Sequence, residues 1–200
     1  MSSTERPLAL AAVALAAVLV VGACGTTTDA ATPHGGMSGQ SSSMPGGSPT
    51  DSAARAGDVM FAQMMIPHHQ QAVEMADLAL MNASASASLE GLAQQIKAAQ
   101  GPEITMMNEW LGEWGAPTSA PMDHGTSGMM SDEAMASLKA AQGAQFHRAW
   151  LEMMIEHHQG AVTMARDVLT STDDPEVERL AQAIIAGQQK EITQMQGMFG

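Results

Sequence analysis

Tyrosine is missing from this chain, and cysteine occurs once, at Cys24. A single cysteine excludes an internal disulfide and the multi-thiolate sites of structural zinc. Basic residues are also few: eight Lys and Arg stand against 21 Asp and Glu, a formal net charge of −13. Cleaving off the first 23 residues would remove Glu5 and Arg6 together and leave that charge unchanged. With no basic stripe to neutralise phosphates, the sequence argues against nucleic acid as a partner. The one long apolar run, from Leu8 to Val21, is short and Ala-rich for a membrane span. It follows a short polar start and leads into "VGAC", the pattern of a lipoprotein signal peptide cleaved before Cys24. The expectation is a mature protein lipidated on Cys24 and held by acyl chains to the outer face of a bacterial cell membrane.

What the chain has in excess is methionine, 19 of 200 residues, together with seven histidines. Methionine fills irregular cores, and its thioether is also a soft metal ligand. Residues 1–23 read as the signal peptide and residues 24–51 as a Gly/Ser/Pro tether. From residue 52 to 200 the composition turns to Ala, Met, Leu, Gln and Glu, which favour helix. This region is an internal duplication. "MMIPHHQQAVEMA" (Met64–Ala76) recurs as "MMIEHHQGAVTMA" (Met153–Ala165), 89 positions later. The same offset pairs Asp58 with His147, Phe61 with Trp150 and Met75 with Met164. "LAQQIKAAQGPEITMM" from Leu92 is echoed by "LAQAIIAGQQKEITQM" from Leu180, at an offset of 88.

The repeats span 52–114 and 131–199, joined by a linker at 115–130. Each reads as a helical hairpin, with helices expected over 52–82, 86–113, 131–171 and 175–198. Asp174 is the expected N-cap of the last helix, with Pro175 at its first position, and Ser86 is its counterpart in the first repeat. The simplest way for two such hairpins to bury a core is a four-helix bundle. Pro67 and Pro102 fall inside helix patterns and predict local kinks.

On a helix, residues four apart share a face. Met64 therefore lies one turn before His68 and Met65 before His69, and Met153 and Met154 precede His157 and His158 likewise. Two adjacent imidazoles diverge by about 100° and cannot meet one ion from a single helix, but two doublets facing each other across a pseudo-twofold can. Imidazole and thioether together suit copper, as Cu(I) or Cu(II), with another divalent metal left open. The carboxylate-rich di-iron pattern of Glu-x-x-His is missing. Glu103 and Glu191 take matching positions on the second and fourth helices, either as ligands or as hydrogen-bond partners of ligand histidines. Met75, Met164, His147 and its partner Asp58 are further candidates. So are Met122, His124, Met129 and Met130 of the linker segment "MDHGTSGMM". The competing structural reading is a buried His–Glu network that only fixes the hairpin crossing.

"FAQMMIPHHQQAVEMA" and "FHRAWLEMMIEHHQGAVTMA" resemble the bacterial family called "domain of unknown function 305", a ferritin-like group of secreted proteins and lipoproteins. The resemblance covers about residues 52–199. It implies an all-α, ferritin-like four-helix bundle outside the cytoplasm. It also implies copper binding or tolerance as the function, with His68, His69, His157 and His158 as the signature positions. The first motif departs from the family's commoner Gly after Gln, carrying Gln71 where the second has Gly160; at this stage that is a small change on a helix surface. The resulting expectation is a lipid-anchored, extracytoplasmic protein that sequesters copper by coordination. A ferritin-like metal-dependent oxidase and a structural bundle with a metal-free His-lined core are the alternatives. Homodimerisation is left open.

Overall fold

The computed structural model describes residues 49–119 and 128–199 of the chain. Cys24, the signal reading, the tether reading up to residue 48, Met122 and His124 lie outside these residues, and residues 49–51 of the expected tether belong to the first helix. The described residues form α1 (Pro49–Met81), α2 (Ala87–Glu113), α3 (Asp132–Ala140), α4 (Gly143–Val168) and α5 (Pro175–Gln196), closed by a 3-10 turn at Gly197–Phe199. No strand occurs among them. α1 packs along α2, α4 along α5, and the two hairpins meet through α1 and α4. The four long helices and their pairing are those expected from the sequence. No helix among the described residues is long and apolar enough to cross a membrane.

Local chemistry sets the helix starts. The Asp174 carboxylate accepts from the backbone N–H of Glu176 at 2.9 Å and of Val177 at 3.4 Å, with Pro175 at the first helical position. Ser86 Oγ accepts from Leu89 N–H at 3.3 Å at the start of α2. Neither proline breaks its helix: α1 runs through Pro67 and α2 through Pro102.

The third predicted helix, 131–171, is corrected to two. Ala141 and Gln142 are extended, and Gly143 opens α4 with φ of 56°. A side chain is strained at that φ, so glycine suits the corner. The tip of the first hairpin braces it. Gly143 N–H donates to Ser84 Oγ at 2.7 Å, and Asn82 Nδ2 donates to the Ala141 carbonyl at 3.2 Å.

Apolar packing falls into two clusters. One joins Met75 and Ala79 of α1, Leu92 and Ile96 of α2, Met135 and Leu138 of α3, and Phe146, Trp150 and Met154 of α4. Trp150 also ties the hairpins through its buried indole N–H, which donates to the Met75 carbonyl at 2.7 Å. The other joins Phe61 and Met65 of α1, Met107 and Leu111 of α2, Met164 and Val168 of α4, and Leu180 and Ile184 of α5. Between the two clusters, each long helix contributes buried polar side chains: His68 and His69, Gln100, His157 and His158, and Gln188.

The end of the linker lies on α1 and α4 at this level. Gln71 clasps Met130, its Nε2 donating to the Met130 carbonyl at 2.9 Å and its Oε1 accepting the Met130 N–H at 2.7 Å. Gly128, with φ of 82°, approaches α4 so closely that a Cβ would stand 2.8 Å from the Glu156 carbonyl oxygen and 3.0 Å from Gly160 Cα. The difference between Gln71 and Gly160 is thus a correction to the surface reading. One holds the linker, and the other leaves room for it.

Gly128→Ala is therefore expected to destabilise the protein by about 1–3 kcal/mol, because the new side chain meets both a left-handed backbone and the α4 backbone. Urea denaturation of the variant beside the parent measures it.

Candidate metal centre

α1 and α4 cross where their histidine doublets stand. All four imidazoles are fully buried. The first members of the doublets, His68 and His157, face each other with ring centroids 3.7 Å apart and a tilt of 35°. The second members turn back toward their own hairpins. His69 Nε2 lies 2.8 Å from Glu103 Oε2 on α2, and His158 Nε2 lies 2.7 Å from Glu191 Oε2 on α5. The result is a pseudo-twofold layer, Glu–His on one side and His–Glu on the other, with the two remaining imidazoles stacked at its centre.

The carboxylates decide the tautomers. A carboxylate accepts hydrogen bonds, so the Nε2 of His69 and of His158 carries the proton and donates it. In a neutral ring the lone pair then sits on Nδ1, and both Nδ1 atoms are buried without a hydrogen-bond partner. A buried polar atom left unsatisfied costs about 1–3 kcal/mol. This layer concentrates such atoms, and they are lone-pair donors of the type a copper or zinc ion takes. Burial holds the His157 imidazole far below its ordinary protonation range, and the neighbouring rings of His68, His158 and His69 push in the same direction. That ring is neutral at physiological pH, the state a metal ligand requires.

Thioethers flank the layer. Met65 and Met154, one turn before His69 and His158, are fully buried in the two apolar clusters. Met64 and Met153, one turn before His68 and His157, are half-buried. Met75 and Met164 lie in the clusters beyond. The stacked rings do not converge on one point. Among the described residues no group of three or more His, Cys, Asp or Glu side chains is arranged to hold a metal ion. The donor set fits a soft or borderline ion only if thioethers complete it.

Two candidates do not join the layer. Asp58 pairs with Arg55 at 3.6 Å, near the N-terminus of α5, where Arg55 also meets Asp174 at 3.1 Å. Burial raises the protonation range of the Asp58 carboxyl, against an opposing hydrogen bond from Thr172 and the Arg55 charge. His147 lines a surface cleft with Ser84, Ser86 and Arg148. Their shared place in the repeat put both on the candidate list, but they precede the His doublets by about three helical turns, which carries each toward an opposite end of the bundle. Met130 is held by its backbone to Gln71, and Met129 is exposed.

Gln100 and Gln188 were missed. They are 2% and 4% exposed, and Gln100 Nε2 and Oε1 and Gln188 Oε1 lack hydrogen-bond partners. Each lies one turn before the carboxylate that holds a histidine. Their signal was the repeated Gln-x-x-Glu, Gln100 to Glu103 and Gln188 to Glu191, inside the second echoed segment.

A family model described as a domain of unknown function, DUF305, matches residues 58–199. Among solved structures, a DUF305 fragment from Deinococcus radiodurans is 35% identical, with 77% of this chain and 97% of that chain covered at a TM-score of 0.66. A DUF305 protein from Streptomyces coelicolor is 33% identical, with 71% and 89% covered and a TM-score of 0.65. CopM in a Cu(I)-bound form is 37% identical, with 71% and 94% covered and a TM-score of 0.61. CopM has also been solved in Cu(II)-bound and Ag-bound forms. Protein L153 of Acanthamoeba polyphaga mimivirus is 39% identical over 52 residues. That match takes in 26% of this chain and 34% of the viral protein, so the chain spans about a third of that relative.

The neutral His157 gives a pH signature. Its folded-state protonation range lies below the ordinary imidazole value of 6.5, so in acid the unfolded chain binds a proton that the folded chain refuses. Stability of the metal-free protein is expected to be flat above that value and to fall as pH drops through it. The slope is about 1.4 kcal/mol per pH unit for one such group. Urea denaturation from about pH 7.5 to 5 measures the slope, and His157→Gln should flatten it.

Proposed function

The chain belongs to the DUF305 family, and on that premise we propose that it is an extracytoplasmic copper-binding protein. It is lipid-anchored through Cys24 and sequesters the ion through histidine and methionine. One observation carries the reading. The two copied histidine doublets meet at the α1–α4 crossing, with the buried Nδ1 atoms of His69 and His158 left without hydrogen-bond partners. A bundle that needed these rings only for packing would gain by replacing them with apolar side chains. The Cu(I)-, Cu(II)- and Ag-bound forms of the similar protein CopM support copper as the ion.

In this reading His68, His69, His157 and His158 are ligands, and Met64, Met65, Met153 and Met154 are the adjoining thioethers. Glu103 and Glu191 orient ligands. By accepting the Nε2 proton, each fixes the ring and makes its Nδ1 a better donor. These rings and thioethers would hold the ion and supply soft and borderline donors to it. The chemistry is coordination without turnover. Copper binds to the rings in their neutral form.

Titrating the protein with Cu(I) against a competing chelator tests this. Replacing His68, His69, His157 and His158 together by Gln should abolish tight binding, and unchanged affinity would reject the site. Glu103→Gln with Glu191→Gln preserves shape and is expected to weaken copper about 10–100-fold with the fold intact by circular dichroism.

A further inference from the structure

A cleft of about 280 Å³ opens beside the α1–α4 crossing, lined by Met60, Phe61, Met64, Met164, Asp167 and Ser171 among others. Three thioethers converge on it. Met60 and Met64 stand one turn apart on α1, and Met164 comes from α4. They grade from solvent to core: Met60 is 50% exposed, Met64 is half-buried, and Met164 is 8% exposed. The same stripe of α1 continues from Met64 to His68 in the imidazole layer. The exposed Asp167 carboxylate stands among the lining residues, on a chain of formal net charge −13.

The duplication supplies an internal control. The positions equivalent to Met60, Met64 and Met164 are Ala149, Met153 and Met75, each 89 residues away. In that copy Met75 is fully buried, and Met153 packs on the apolar cluster that contains Met135 and Leu138 of α3. There the thioethers serve packing, and the outermost one is missing. In the open copy an extra methionine, Met60, sits half in water, where it gains little from packing.

We propose that Met60, Met64 and Met164 form a second, thioether-only site for a soft monovalent cation, Cu(I) or Ag(I), in the cleft beside the α1–α4 crossing. Thioethers prefer such ions to Zn(II). Thioethers carry no proton at any ordinary pH, so binding in this cleft is independent of pH. This site does not rest on the copper-binding reading of the imidazole layer.

The test is a silver titration of the full-length protein labelled with 13C on the methionine methyls, at about pH 7.5 and about pH 5. The methyls of Met60, Met64 and Met164 should shift with Ag(I) at both pH values and stay still with Zn(II). Met60→Leu keeps the apolar bulk and should weaken the Ag(I) step at pH 5 by about tenfold or more. Met106→Leu, at an exposed α2 methionine outside the cleft, should leave it unchanged. Three unmoved methyls at pH 5, or a Met60→Leu titration equal to the parent, overturns the proposal. If the methyls respond as expected while the four imidazoles stay unperturbed at pH 7.5, the cleft stands and the imidazole-layer reading falls.

Discussion

Everything in this bundle is arranged around the burial of four imidazoles at one level of an otherwise apolar core. Such a layer is costly, because unsatisfied polar atoms away from water lose hydrogen bonds that packing does not replace. The protein meets part of that cost with two carboxylates, Glu103 and Glu191, each from the partner helix of its own hairpin. It leaves Nδ1 of His69 and His158 unsatisfied. The apolar clusters above and below, anchored by Trp150 and Phe146 at one end and by Phe61 and Trp110 at the other, hold the helices against this penalty.

Duplication explains how such a layer is built with little sequence. One hairpin supplies a His doublet, a flanking thioether pair and a carboxylate, and the second copy supplies the same set facing it. The copies then diverge where symmetry would be useless. Gln71 grips the linker end, while Gly160 leaves room for Gly128 to pass. α3 covers one end of the bundle, and the thioethers at the other end line an open cleft. A pseudo-symmetric centre therefore acquires two unlike faces.

Much was legible in the residues. Helix starts at Ser86 and Asp174 followed from capping chemistry, and both hairpins from the repeat itself. The His–Glu pairs were foreseen as one of two roles for the carboxylates. The break at Ala141–Gln142 was not, because "KAAQGAQF" continues a helical composition and only the extended backbone of Ala141 and Gln142 interrupts it. Gln100 and Gln188 were passed over because glutamine is ordinary on a helix surface, and only packing makes these two interior.

The sequence by itself determined the periodicity: which residues share a helix face, and that the face occurs twice. That information is local, carried by spacings of three and four along one chain. Tertiary structure alone decided which faces meet. It set His68 against His157 and carried Asp58 and His147 to opposite ends, although all four sit in matching places of the repeat. The crossing of α1 and α4 is a long-range choice, fixed by how the two apolar clusters and the linker close together, and no spacing within one helix encodes it.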